Sequence, residues 1–364
     1  MFYKQIIFAA TMFNKRTKIK ALLTGSLTGQ TVTAMGWVRS FRNNQFIALN
    51  DGSTNHNIQV VAELGLLDDA TLKRITTGAS LKVEGTLIES LGKGQSVEIK
   101  ATSVEILGDS DAEQYPLQPK KHSLEFLREI AHLRFRTNTF SAVFRIRHAL
   151  AFAVHQFFNE KGFVYLHTPI ITSSDAEGAG EMFKVTALPL DGTAPKNEDG
   201  SINFKEDFFG RSTNLTVSGQ LEGELAAMAF SDIYTFGPTF RAENSNTARH
   251  LAEFWMIEPE MAFYDLKMDM DVIEDFIRFV VTTVLEKSKA ELQILESDTT
   301  YLEKVREPFI RMKYEDAVDV IKGEKEIGGR NSLQMLQAEE AKLNEQKAII
   351  EADIKEREAK IASG

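Results

Sequence analysis

The chain has 364 residues, of which 43% are hydrophobic and 26% are charged, a composition typical of a folded globular protein rather than a disordered or fibrous one. It contains no cysteine, so a disulfide scaffold, a thiolate zinc site and a cysteine nucleophile are excluded. The net charge of −10 argues against binding nucleic acid over the whole surface, although it allows one locally basic face.

The N-terminal residues contain one short apolar run, from Ile6 to Ala10. A helix that crosses a bilayer needs about 20 apolar residues, so this run is too short to span a membrane. A basic cluster follows the run instead of preceding it, which is the reverse of a signal peptide. We expect Met12 to be the natural start, residues 1–11 to be a non-native extension, and the protein to be cytoplasmic with no membrane partner.

The first domain is predicted to be an all-β barrel over residues 12–108. Five segments rich in β-branched and aromatic residues are separated by turn-forming residues, and five short strands in about 80 residues favour a small closed barrel. A helix around Leu64–Ile75 is expected to cap it. Acidic residues and two prolines predict a linker over 109–122. The five predicted strands cover 31–40, 44–51, 57–64, 80–90 and 95–107.

The second domain is predicted to be α+β and to cover residues 123–322. Apolar residues recur at helical spacing from Thr139 to Lys161 and predict one long helix. A helix followed by strands that pair in long-range hairpins favours an antiparallel sheet. The candidate strands are FVYLHTPIIT, NLTVS, IYTFGPTFRAE and HLAEFWMIEPEMAF.

Residues 323–364 are rich in charged helix-forming residues and predict a C-terminal helix. Its apolar residues recur at spacings of seven, four and seven, which suits either a coiled-coil seam or a single amphipathic helix on a domain surface. Both interpretations remain open. The residues concerned are Leu343, Ile350, Ile354 and Ile361.

The common catalytic and phosphate-binding motifs do not occur. The sequence lacks the P-loop, the dinucleotide fingerprint, the GxSxG elbow and the HExxH zinc motif, and no metal ligands can be identified. An ATP-dependent activity therefore has to hold its nucleotide in another way.

The segment 237–263 offers such a way. Arg241 and Glu243 are two residues apart, so they should share one face of a strand. Arg249 and His250 place cations at the end of a loop, where they can reach phosphates, and Phe254 offers a ring on which a base can stack. On the residues alone, a hairpin with a surface salt bridge is equally consistent.

The same segment closely resembles motif 2 of the class II aminoacyl-tRNA synthetases. The helix that ends in FVYLHTPIIT resembles motif 1, whose last proline is Pro169. The barrel sequence resembles the anticodon-binding OB domain of class IIb, the subgroup of the aspartate, asparagine and lysine enzymes. FFGRSTNLTVSGQLEGE and EGAGEMF resemble the amino-acid pocket in its asparagine form. The resemblance covers roughly residues 13–320.

The resemblance implies a set of ATP-binding residues. Arg241 would hold the α-phosphate and the substrate carboxylate, and so act in catalysis. Glu243 would accept from the adenine amino group, Arg249 or His250 would meet the γ-phosphate, and Phe254 would stack under adenine. No protein nucleophile is needed, because the amino acid's own carboxylate attacks phosphorus.

The resemblance also implies where the amino acid binds. Its α-amino group would be held by Glu177, Ser218, Gln220 and Glu258, although Ser218 to Gln220 can also be a plain turn. Aspartate enzymes carry a lysine where this sequence has Gly223, between two glutamates. A buried aspartate side chain without a cation is costly, so the pocket is expected to favour L-asparagine.

Further expectations concern tRNA and assembly. On the barrel, Phe46 and Gln59 would bind an anticodon base of tRNA(Asn), while Arg39 and Arg42 would contact phosphate. Phe46 as barrel core is the competing interpretation. A homodimer through the motif 1 helix is also implied.

A third family motif, with its magnesium-binding acids and second arginine, is not found in the sequence. ATP and Mg²⁺ are the expected cofactors, with the metal ligands in a missing segment. We therefore expect a truncated form, C-terminally incomplete in its catalytic sheet, that catalyses little ATP–pyrophosphate exchange. The alternatives are a non-catalytic tRNA- or protein-binding paralogue and, less favoured because of the barrel, an asparagine-synthesising enzyme.

Overall fold

The computed structural model describes residues 16–363 apart from residues 91, 93, 119, 177–181, 246, 248 and 330. The expected extension over residues 1–11 therefore lies outside the described residues. The chain divides into two units, the first ending at Arg306 and the second beginning at Glu307. The sequence placed the corresponding change in character later, at Gly323.

The predicted barrel is confirmed. Five strands close in the order β1-β2-β3-β5-β4, and a short helix, α1 (Ile19–Leu22), precedes them. The helix between β3 and β4, α2 (Asp69–Arg74), is shorter than predicted, because Asp68 caps it by accepting a hydrogen bond from the Thr71 backbone N–H at 2.7 Å. The strands are β1 (Thr31–Arg42), β2 (Phe46–Asn50), β3 (Ile58–Val61), β4 (Ser80–Glu89) and β5 (Val97–Gly108).

Alternation along the strands separates the barrel core from its outer face. Ile47 and Leu49 of β2 point inward and are fully buried. Phe46 has the opposite parity and is only half-buried, so the interpretation of Phe46 as barrel core is wrong. Gly85 of β4 is required by a close backbone approach, because a Cβ atom there would lie 2.2 Å from the Lys100 carbonyl oxygen.

The α+β domain is confirmed, with one change in its sheet. The strands β11, β10 and β6 form one sheet, in which β10 and β11 are antiparallel but β6 runs parallel to β10. A second sheet has the order β7-β9-β8 and is antiparallel. The strands are β6 (Val164–Leu166), β7 (Ile171–Thr172), β8 (Lys184–Val185), β9 (Thr213–Leu215), β10 (Asp232–Phe240) and β11 (Glu253–Met261).

Two predicted strands need correction. FVYLHTPIIT is divided into β6 and β7, with Pro169 between them, since proline cannot donate a ladder hydrogen bond. The strand expected to run through TFRAE ends at Phe240, so Arg241 and Glu243 lie beyond its end.

The helices of this domain are α3 to α8. The long predicted helix is α4, and its first turn is capped by Thr137, whose hydroxyl accepts from the Phe140 backbone N–H at 3.3 Å. The helices are α3 (Leu124–Glu129), α4 (Asn138–Glu160), α5 (Gln220–Phe230), α6 (Leu266–Lys287), α7 (Lys289–Ile294) and α8 (Thr300–Glu303), with 3₁₀ turns at Arg134–Arg136, Phe204–Glu206 and Lys304–Arg306.

Helices α4 and α6 cover one face of the β11-β10-β6 sheet. Phe157 and Phe158 of α4 pack with Tyr234 of β10 and Val272 of α6 in one aromatic-rich cluster. The other face of the sheet is packed in part by α5, whose Gly223 lies close to Thr235 and Glu260.

The second unit contains α9 (Tyr314–Lys322) and the predicted C-terminal helix, α10 (Ser332–Ser363). Gly323 ends α9 with a φ of +81°, a conformation that favours glycine. The four apolar residues of the suggested seam are between 48% and 80% exposed, so they form no buried seam in the described chain. None of the helices in the described ranges is both long and apolar enough to cross a membrane.

Candidate functional site

The face of the sheet opposite α4 and α6, on which α5 packs, carries a row of candidate site residues. Side chains of β11 alternate, so Phe254, Glu258 and Glu260 share one face, while Ile257 and Met261 pack on the hydrophobic cluster behind the sheet. Phe254 and Glu258 are four residues apart in an extended strand, which separates them by about 14 Å.

Glu258 is fixed by three donors. Its Oε1 atom accepts from the Ser218 hydroxyl, and its Oε2 atom accepts from the Gly219 N–H at 3.2 Å and the Thr235 hydroxyl at 2.8 Å. Gly219 precedes the first residue of α5, so the carboxylate also lies at the positive end of that helix. A carboxylate held in this way has a defined direction and room for one more donor.

The segment Ser218 to Gln220 lies beside Glu258. The Ser218 hydroxyl both donates to Glu258 and accepts from the Gln220 backbone N–H at 3.0 Å. The Gln220 side chain donates to Glu224, one helical turn further along, at 3.0 Å. Ser218 therefore acts on Glu258 and on the start of α5 at the same time.

Further acids surround this position. Burial raises the pKa of Glu260, and the nearby carboxylates of Glu224, Glu258 and Asp269 raise it further. Since like charges repel, this part of the face favours a cationic ligand such as an ammonium group.

Arg241 and Phe254 meet at the other end of the row. The Arg241 guanidinium carbon lies 5.6 Å from the centre of the Phe254 ring, and the Arg241 backbone N–H donates to the Ala252 carbonyl at 3.0 Å. A cation and an aromatic ring at this distance can hold a phosphate and a base side by side.

The remaining predicted ATP-binding residues lie in the loop after β10. Glu243, Arg249 and His250 are exposed there, and the Thr247 hydroxyl and the His250 Nδ1 atom form a hydrogen bond. The expectation that Arg241 and Glu243 share a strand face is wrong, because the strand ends before both residues. Glu177 lies outside the described residues.

A small cavity lies next to Glu258. Its volume of about 10 Å³ is enough for one water molecule at most, so the cavity itself cannot hold a substrate. Its lining includes Thr168, Thr216 and Thr235.

The described residues contain no preformed cluster of metal ligands. In the parts of the chain that the structure describes, no group of three or more histidine or acidic side chains is arranged to hold a metal. Both oxygens of Glu258 already accept hydrogen bonds. The Mg²⁺ ligands expected from the sequence stay a prediction.

The outer face of the barrel carries a second candidate site. Phe46 pairs with Arg42 on one side and Val61 on the other, and Val61 pairs with Lys100. The half-buried Phe46 ring thus lies in a row with two basic residues, of which Lys100 pairs with Glu63 at 2.7 Å, and such a row is suited to a single-stranded base and its phosphate. Gln59 lies on the same face, where its side-chain amide donates to Glu98 at 3.0 Å.

Arg39 has a contact that the sequence did not predict. Its guanidinium donates to the Arg136 carbonyl and, at 3.1 Å, to the Asn138 side chain at the start of α4. Arg145 of α4 donates in the opposite direction to the Gly52 carbonyl of the barrel. Both arginines therefore join the barrel to the second domain, and the expected phosphate contact of Arg39 stays a prediction.

Comparisons with known proteins agree with this geometry. Residues 32–107 match a family model described as an OB-fold nucleic acid binding domain, and residues 123–360 match one described as tRNA synthetases class II (D, K and N). The chain belongs to the class II tRNA synthetases. The match extends past residue 320, where the sequence resemblance was expected to end, and includes most of α10.

Curated relatives are similar over most of the chain. An asparagine–tRNA ligase of Cytophaga hutchinsonii is 55% identical over 318 residues, which cover 84% of this chain and 68% of that protein. One of Porphyromonas gingivalis is 53% identical over 316 residues, covering 84% of this chain and 67% of that protein. The chain thus spans about two thirds of the length of these relatives.

A solved class II structure is also similar. The asparaginyl-tRNA synthetase of Pyrococcus horikoshii in complex with asparaginyl-adenylate has a TM-score of 0.71 and 25% identity, and the match covers 86% of this chain and 68% of that one. The fold of the barrel and of the catalytic domain is therefore that of this synthetase class.

Thr235 and Gly219, which both donate hydrogen bonds to Glu258, could not be identified from the sequence. Thr235 lies directly opposite Glu258 in the β10–β11 pair, and Gly219 donates its backbone N–H. The position of Thr235 opposite Glu258 is known only once the register of the β10–β11 pair is known. The sequence does not fix that register, because a long loop joins the two strands.

Proposed function

We propose that the chain is an asparagine–tRNA ligase, which activates L-asparagine with ATP to asparaginyl-adenylate and transfers it to tRNA(Asn). The observation that supports this most is the row on one sheet face, with a fixed Glu258 carboxylate at one end and the Arg241–Phe254 pair at the other. The names of the relatives support the choice of amino acid.

In this proposal the protein supplies alignment and electrostatics. The asparagine carboxylate oxygen forms a bond to the α-phosphorus of ATP, and pyrophosphate leaves. Arg241 offsets the negative charge of both reacting groups, and Phe254 stacks on adenine. Glu258 accepts a hydrogen bond from the α-ammonium group. Glu243 accepts a hydrogen bond from the adenine amino group, and Arg249 or His250 binds the γ-phosphate.

The preference for asparagine over aspartate follows from the acids around α5. A Cβ atom on Gly223 would lie 3.3 Å from the Glu260 side chain, so this position faces the acidic group directly. This sequence has Gly223 where the aspartate enzymes carry a lysine. A side-chain amide can donate to Glu224, whereas a second carboxylate would be repelled.

A thermal-shift experiment tests the proposal. ATP together with asparagine should raise the melting temperature by several degrees above ATP alone, because a ligand that binds only the folded state stabilises it. Aspartate and lysine serve as controls and should add little. An equal shift with aspartate, or no shift with any of the three, would contradict the proposed activity.

The proposal includes tRNA binding by the barrel, with Phe46 as the stacking residue and Arg42 on phosphate. Phe46→Ala should weaken binding of a tRNA(Asn) transcript by about 1–3 kcal/mol, measured by filter binding at constant salt. Tyr301→Ala is the control, since Tyr301 is an exposed aromatic residue outside the barrel. Unchanged affinity in a folded Phe46→Ala protein would exclude this stacking role.

A homodimer through α4 is also proposed. This helix exposes apolar side chains, among them Phe152 with 67% of its surface exposed. Phe152→Glu should convert a dimer to a monomer in sedimentation velocity at micromolar concentration. Leu64→Glu, at an exposed apolar position on the barrel, should leave the dimer intact. A strictly monomeric unmodified protein would rule the dimer out.

We also propose that the barrel domain covers residues 12–108 and the catalytic domain residues 123–322. The proposed location is the cytoplasm, where aminoacylated tRNA is used in protein synthesis.

A further inference from the structure

Glu258 is held in place by hydrogen bonds, and other acids lie close to it. Glu260 lies two residues away on the same strand face, and the charges of Glu224 and Glu258 both act on Glu260. Repulsion between these acids would turn the Glu258 side chain away from the row. Three hydrogen bonds oppose that movement.

The three donors differ in what else they do. The Ser218 hydroxyl also accepts from the Gln220 backbone at the start of α5, and the Gly219 N–H belongs to the same turn. Thr235 is different, because it lies within β10 directly opposite Glu258 and only 2% of its surface is exposed. Its hydroxyl bond to Glu258 can therefore be removed without changing the turn.

The side chain of Thr235 is itself held in one orientation. Its methyl carbon lies 3.6 Å from the position of a Cβ atom on Gly223 of α5, and its hydroxyl oxygen lies 3.2 Å from that of a Cβ atom on Gly219. Glycine at both positions lets α5 approach closely. A β-branched side chain packed in this way has little rotational freedom, so its hydroxyl is directed at Glu258.

We propose that Thr235 is a positioning residue, which holds the Glu258 carboxylate toward the α-ammonium group of the amino-acid substrate. This inference rests on the proposed function, because it needs an amino acid bound at Glu258. Thr235 does not touch the substrate. It acts through Glu258 and leaves the Arg241–Phe254 end of the row unchanged.

Calorimetric titration with L-asparagine, in the presence of ATP, tests this role. Thr235→Val removes the hydroxyl at nearly constant shape and should weaken asparagine binding about tenfold, while the affinity for ATP alone stays within about twofold. Thr235→Ser keeps the hydroxyl and should restore near-normal affinity. Thr283→Val is the matched control, because Thr283 is also buried but its hydroxyl donates to Phe279 within α6.

The outcomes separate the two hypotheses. Normal asparagine affinity in Thr235→Val, with the unmodified protein binding asparagine, contradicts the positioning role alone. Equal losses for asparagine and ATP indicate general damage and also contradict it. An unmodified protein that does not bind asparagine contradicts the proposed function, and the positioning role is lost with it. Thr235→Ala replaces the valine variant if that one does not fold.

Discussion

Glu258→Gln is expected to weaken asparagine binding about 100-fold while ATP binding changes little. The substitution removes the charge that faces the ammonium group, and losing one partner of a desolvated ion pair costs about 2–5 kcal/mol. The substitution also replaces one carboxylate oxygen, an acceptor, with an amide NH₂ group, a donor. Ser218, Gly219 and Thr235 all donate to this side chain. One of these would lose its partner, which should lower the free energy of unfolding by about 1–3 kcal/mol.

The matched control is Glu253→Gln. Glu253 is exposed on the same strand but has the opposite parity, so it faces away from the row. Calorimetric titration of both variants with asparagine and with ATP separates the effects. Similar asparagine affinity in the two variants would mean that Glu258 does not meet the substrate.

Arg241→Lys is expected to weaken ATP binding about 10- to 100-fold, measured by calorimetry. Lysine keeps the charge but loses the planar group that can bind phosphate oxygens in pairs and lie over the Phe254 ring. The barrel and its tRNA affinity should be unaffected, since Arg241 lies in the other domain.

Arg147→Lys provides the comparison for this change. Arg147 lies over the Trp255 ring with its guanidinium carbon at 3.9 Å from the ring centre, and Trp255 is on the opposite face of β11. Both variants therefore lose an arginine stacked on a β11 aromatic residue. An equal loss of ATP affinity in the two variants would mean that the nucleotide does not bind at the Arg241–Phe254 pair.

The parts of the fold with strong periodicity could be predicted from the sequence. Alternation in the barrel strands and the helical spacing of α4 come directly from which face each element buries. The early end of β10 could not be predicted in the same way. It depends on which backbone partner is within reach, and that is decided by tertiary packing.

The charged and aromatic residues of the candidate site could be predicted from the sequence, but the residues that hold them in position could not. Arg241, Phe254, Ser218 and Glu258 belong to motifs with chemical meaning, whereas Thr235 is one ordinary strand residue among several. Its role appears only when the register places it opposite Glu258. The contact of Arg39 with α4 was missed for a related reason, since it joins residues 97 and 99 positions away.

The proposed site should select asparagine over aspartate and lysine. Calorimetric titration with non-hydrolysable adenylate analogues carrying each of these amino acids tests this selectivity, because binding of the analogue requires both ends of the row at once. We expect the asparaginyl analogue to bind most tightly and Glu258→Gln to remove this preference. Tightest binding of the aspartyl or lysyl analogue would contradict it.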